Sequence, residues 1–151
     1  MMSMFGGLEI SASGLTAQRL RMDVTAENLA NAQTTKGADG KPYRRKEVVL
    51  QEIPQGGGFG AQLTAAIGPG SSKSAAGGVQ VAKIATDQTA GKLVYDPGNP
   101  DANAQGYVQM PNVDTVTEMV DLIDSSRAYE ANVTAMQASK QMFAKTLEIL
   151  R

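Results

Sequence analysis

Proline and glycine divide this chain into three parts before any other pattern is considered. All six prolines lie between Pro42 and Pro111, and thirteen of the sixteen glycines lie between Gly37 and Gly106. Proline lacks the amide donor that a helix interior needs, and glycine costs about 1 kcal/mol there relative to alanine. Long helices are therefore open to the two ends and closed to the middle.

The ends carry the pattern that such helices require. Phe5, Leu8, Ala12, Leu15, Arg19, Met22, Ala26 and Leu29 follow alternating steps of three and four residues, and seven of these eight are apolar. This is the seam of a helix packed along its length against a partner, and it predicts a helix over 5–32, about 42 Å long. Asn31 suits the left-handed residue that ends many helices. Beyond Pro111 neither Gly nor Pro occurs. Met119, Leu122, Ser126, Tyr129, Val133, Met136, Lys140, Phe143, Leu147 and Leu150 repeat the stepping, with Asn112 or Asp114 as N-cap and Glu118 in the first turn facing the helix dipole. Arg127 and Glu130 are spaced to pair on the outer flank.

Between the helices, four short strands are predicted at Arg44–Ile53, Gly78–Asp87, Lys92–Tyr95 and Tyr107–Met110. Val79, Val81 and Ile84 alternate only in part, which leaves their register open. The fold class is thus mainly α with a small β-rich insert. Residues 1–34 form an N-terminal helical part, 35–111 a central β and loop part, and 112–151 a C-terminal helical part.

Composition removes whole classes of chemistry. The chain has no cysteine and no histidine, so thiolate nucleophiles, imidazole bases and the usual zinc ligands are missing. A net charge of −1 gives no pull toward nucleic acid or anionic lipid. No basic region precedes an apolar run near the N-terminus, so neither a cleaved signal peptide nor a membrane-spanning helix is expected. "GPGSSKS", Gly68 to Ser74, lacks the glycine that a phosphate-binding loop places before its lysine; Ser72 stands there. Asp101, Asn103, Gln105 and Gly106 imitate the front of a calcium loop, but its twelfth position is Asn112 where a glutamate is needed. Asn132 heads a glycosylation triplet that falls inside the predicted helix. Neither an enzyme, nor a cofactor, nor a small-molecule substrate is expected. The seams remain. The middle has too few large apolar groups to cover both of them, which favours self-assembly over a lone bundle. A soluble adaptor with a β-rich face on a helical stalk is the alternative.

Two stretches also resemble a known family. "SASGLTAQRLRMDVTAENLANAQTT", Ser11 to Thr35, is similar to the N-terminal signature of bacterial flagellar rod and hook proteins. Asn112 to Leu150, with its Glu-Met-Val and Arg-x-Tyr-Glu-Ala-Asn elements, resembles their C-terminal helix. "GADGKPYRRKEVVL" and "VYDPGNPDANAQGYVQMPNVD" narrow the likeness to the proximal-rod branch, with Asn99 where histidine is expected in that turn.

The resemblance implies a structural protein of the flagellar basal body that leaves the cell through the flagellar export apparatus without a cleaved signal. Its paired terminal helices would line a tube around the export channel in the periplasm, transmitting torque. Partners would be copies of itself, neighbouring rod proteins, and the adaptor that joins the rod to the export gate and membrane ring. Leu8, Leu15, Met22, Leu29, Met119, Leu122, Ile123, Tyr129, Met136, Phe143, Leu147 and Leu150 are the expected apolar assembly face. Asn31, Arg127, Glu130 and Asn132 are its polar members. Asn28 is expected, from the resemblance alone, to face a neighbouring backbone or subunit.

Overall fold

Among the described residues, two long helices flank two antiparallel strand pairs. The computed structural model describes residues 2–37, 39–53 and 77–149, with side chains from residue 6. Helix α1 spans Met2–Ala30 and helix α2 spans Thr115–Ile149. At about 1.5 Å per residue they run roughly 44 and 53 Å. Gly6, Gly7 and Gly14 all lie within α1; its packing outweighs their poor propensity. No helix among the described residues is long and apolar enough to cross a membrane.

Helix α2 starts where its cap dictates. The Asp114 carboxylate accepts the Val116 amide at 2.9 Å, and the Asp114 carbonyl accepts the Glu118 amide at 2.9 Å. Asn112, the other candidate cap, instead accepts the Arg45 amide at 2.9 Å.

The end of α1 departs from expectation. Asn31 is not left-handed, since positive φ occurs only at glycines among the described residues. Its side-chain and backbone N–H groups both donate to the Glu27 carbonyl, at 2.9 and 3.1 Å, and its Oδ1 accepts from the Thr34 hydroxyl. The asparagine satisfies the helix end with its amide, so no left-handed residue is needed.

All four predicted strands form, the first two trimmed at both ends and the last two at one. Strand β1 (Lys46–Glu52) pairs antiparallel with β2 (Val79–Thr86), and β3 (Leu93–Tyr95) with β4 (Tyr107–Gln109). Val49 faces Lys83 while Leu50 faces Val81, which leaves Ala82 over as a bulge. That extra residue is why Val79, Val81 and Ile84 fail to alternate. The first hairpin rests on α1: the Val79 amide donates to Ser13 Oγ at 3.1 Å, and Ser13 donates to the Ile10 carbonyl. In the second hairpin Gly106 takes φ +80°, and a Cβ there would sit 2.9 Å from the Tyr95 ring. Only glycine meets both conditions. Tyr95 and Tyr107 then stack edge to face at 5.3 Å. In the preceding turn Asn99 Oδ1 accepts the Asp101 amide, so asparagine serves that position as a local turn acceptor.

The apolar core is small. Among the described residues, the buried apolar groups are Ala17, Val24 and Val108. The Gly68–Ser74 stretch and Leu150 lie outside the described residues.

Candidate assembly site

Among the described residues, the most buried large side chains are polar. Glu118, Asn28 and Ser125 are each 1 % exposed. A buried carboxylate costs several kcal/mol unless it is paired and hydrogen-bonded, so its surroundings repay inspection.

Glu118 meets two partners. Oε1 accepts from Arg45 Nε at 2.5 Å, and Oε2 accepts from Asn28 Nδ2 at 2.9 Å. Arg45 also reaches Asp121 Oδ2 at 3.2 Å, and Arg21 approaches the same carboxylate at 4.0 Å. The hydrogen bond to Glu118 raises the Arg45 pKa above its ordinary value, with the neighbouring carboxylates adding to the effect and burial opposing it. The guanidinium therefore stays charged.

Asn28 spends its whole hydrogen-bonding capacity here. Its amide donates to the Lys46 carbonyl at 2.8 Å and to Glu118. Its oxygen accepts the Lys46 amide and the Tyr43 hydroxyl, both at 2.9 Å. Asn28 thus pairs with β1 as another strand would, through both the amide and the carbonyl of Lys46. Tyr43 is pushed up to about 12, first by burial and then by the charges of Glu27 and Glu118. Lys46 completes the rim through Glu27, at 2.5 Å, and lies over the Tyr43 ring. Helix α1, helix α2, β1 and the loop before β1 therefore converge on one polar knot.

The expected seam is present but turned. On α2 the buried and half-buried positions are Glu118, Asp121, Leu122, Ser125, Ser126, Ala128, Tyr129, Asn132, Val133, Met136, Ser139 and Phe143, with Glu118 and Ser125 the most buried. Leu122, Ser126, Tyr129, Val133, Met136 and Phe143 were expected there; Glu118 and Ser139 lie one residue before the expected Met119 and Lys140, which are exposed, and Ser125 and Asn132 share the seam with Ser126 and Val133. On α1 the buried residues are Ala17, Val24, Thr25 and Asn28, while Leu8, Leu15, Met22 and Leu29 are half-buried beside them. Counting apolar residues missed this because small and polar side chains hold the closest contact. A Cβ on Gly14 would come within 3.1 Å of Asn132, and larger groups would force the helices apart.

The remaining expected residues divide by exposure. Asn31 is half-buried, whereas Met119, Ile123, Arg127, Glu130 and Leu147 are exposed. Arg127 and Glu130 form no ion pair with each other; the pair seen on that helix alone is Lys145–Glu148, at 3.8 Å. Val116 at 66 %, Ile123 at 52 % and Leu147 at 54 % exposure leave α2 with an apolar outer face along its length. Sequence reasoning overlooked Tyr43, Arg45, Asp121 and Ser125. The signal for Ser125 was its place seven residues from both Glu118 and Asn132; Tyr43 and Arg45 had no local signal.

This geometry supports packing rather than a reaction. The side chains that imitated a calcium loop are engaged locally: Asp101 accepts from Thr35 at 2.8 Å, and Asn103 accepts the Gln105 and Tyr107 amides. Comparison with known proteins agrees with an assembly role. The profile described as "Flagella basal body rod protein" matches residues 8–38, and "Flagellar basal body rod FlgEFG protein C-terminal" matches residues 104–149. The flagellar basal-body rod protein FlgC of Bacillus subtilis (strain 168) is 54 % identical over 98 % of this chain and 99 % of its own. Those of Escherichia coli O157:H7 and Aquifex aeolicus (strain VF5) are 46 % and 38 % identical, each over 98 % of both chains. The polar knot and the exposed apolar helix face thus belong to a structural component of the flagellar rod, and the chain belongs to the family of flagellar basal-body rod proteins FlgC.

Proposed function

We propose that the outer faces of α1 and α2 pack against copies of this chain and neighbouring rod proteins, forming a tube wall around the export channel. Residues 1–34 and 112–151 make up the wall, and residues 35–111 face outward. The adaptor that joins the rod to the export gate and membrane ring is a further partner. The chain reaches the periplasm through the flagellar export apparatus without a cleaved signal.

The supporting observation is the inverted burial of α2: Glu118 and Ser125 point inward while Val116, Val120 and Ile123 face out. Covering each such aliphatic group contributes on the order of 1.5–3 kcal/mol. Repeated around a helical array, that is enough to hold subunits together and to carry torque without chemistry. The test is Ile123→Asp. It should leave the helical content of the isolated chain unchanged and prevent its incorporation into basal bodies. Normal incorporation would count against the outer face as the contact.

A further inference from the structure

The seam of α2 is repetitive, and this raises the question of what fixes its alignment with α1. Glu118, Ser125, Asn132 and Ser139 occupy one set of heptad positions, and Leu122, Tyr129, Met136 and Phe143 the other. Sliding α2 by one heptad would replace Asn132 with Ser125 or Ser139 beside Gly14. Both are smaller than asparagine. The same slide exchanges one large side chain for another at positions that are only half-buried, where the open side of each site can take up the difference in volume. Apolar packing therefore distinguishes the registers poorly.

The polar knot distinguishes them well. Glu118 is the one carboxylate among the four inward polar positions, and Arg45 and Asn28 converge on it at 2.5 and 2.9 Å. A slide in one direction would bring Ser125 to Asn28, leaving Arg45 without its buried counter-charge. A slide in the other would bring up Pro111, which precedes the helix. Buried ion pairs add little net stability over apolar groups of similar size, and their best-attested role is to select one arrangement. The knot also includes β1, because Asn28 holds both the amide and the carbonyl of Lys46.

We propose that the Asn28–Arg45–Glu118 knot, rather than the apolar seam, selects the register of α1 against α2, and that it seats the first hairpin on the pair. This stands apart from the assembly reading, because it concerns the isolated chain.

The natural absence of cysteine makes a direct test possible. Gly14→Cys with Asn132→Cys reports the native register. Gly14→Cys with Ser125→Cys or with Ser139→Cys reports the slipped ones, each carrying Asn132→Ala to relieve crowding. With the knot intact, the first pair should form a disulfide readily and the other two only at a low background level. Replacing the knot by Asn28→Leu, Arg45→Met and Glu118→Met should preserve the helical signal and raise slipped crosslinks about tenfold, the factor expected for one charged hydrogen bond. Crosslinking confined to position 132 would overturn the proposal, because loops or apolar packing would then suffice. Loss of the helical signal would also overturn it, by making the knot a source of stability instead of selection. Asn28→Ala, which keeps the Arg45–Glu118 pair, is the second variant. Backbone amides of both β1 and β2 should then exchange about tenfold faster, and unchanged protection would overturn the seating of the hairpin.

Discussion

Asn28 illustrates how one side chain can carry a tertiary structure. It donates twice and accepts twice, to Lys46, Tyr43 and Glu118, and so uses every site an amide possesses. Tyr43 gives this arrangement a measurable signature. Its folded pKa, about 12, lies above the ordinary value of 10.0. The unfolded chain therefore releases that proton first as pH rises. The contribution to stability is complete below pH 10 and is lost as pH climbs toward 12. Chemical denaturation across that range should show a decline that Tyr43→Phe reduces. The same variant should cost ~1 kcal/mol at neutral pH for the lost hydrogen bond to Asn28. An identical alkaline decline in both proteins would refute the assignment. Little of this was legible beforehand. Asn28 was singled out only by resemblance, and Glu118 was read as a helix-dipole partner because its true partners lie 73 and 90 residues away.

At the level of elements, the sequence was far more informative. Proline and clustered glycine mark where long helices are disfavoured, and that rule, with the β-like runs between turn residues, placed the two terminal helices and the four described strands. Their rotation was less accessible. A seam counted from apolar residues is drawn toward Met119, whereas contact distance is set by Gly14, Ala17 and Ser125, which any tally of hydrophobic groups undervalues. The bulge at Ala82 was likewise visible only as failed alternation. Capping is the element-scale feature most open to test. Asp114→Ala removes the acceptor of the Val116 amide and should lower stability by about 1 kcal/mol in urea denaturation. A change of less than a few tenths would mean that the Pro111–Asp114 segment caps α2 without that carboxylate.

The whole molecule is unusual in what it covers. Polar groups occupy the tightest contact between the helices, while aliphatic groups along α2 stand in solvent. An isolated chain of this kind is expected to hold its terminal helices loosely, because one helix pair cannot cover both apolar faces. Limited proteolysis of the purified chain is expected to cut first in the early turns of α1 and the last turns of α2, before the β-hairpins. Ends as resistant as the centre would contradict this. The three parts proposed from the sequence would then need redrawing as one rigid unit.

The scarcity of buried apolar surface has a thermal consequence. Heat-capacity change on unfolding comes mainly from exposing such surface, and here Ala17, Val24 and Val108 contribute very little of it. The stability of the single chain should therefore vary only gently with temperature. The strong curvature, and with it any weakening in the cold, belongs to the contacts between subunits. Cooling would loosen the array while leaving each knot of Asn28, Arg45 and Glu118 closed.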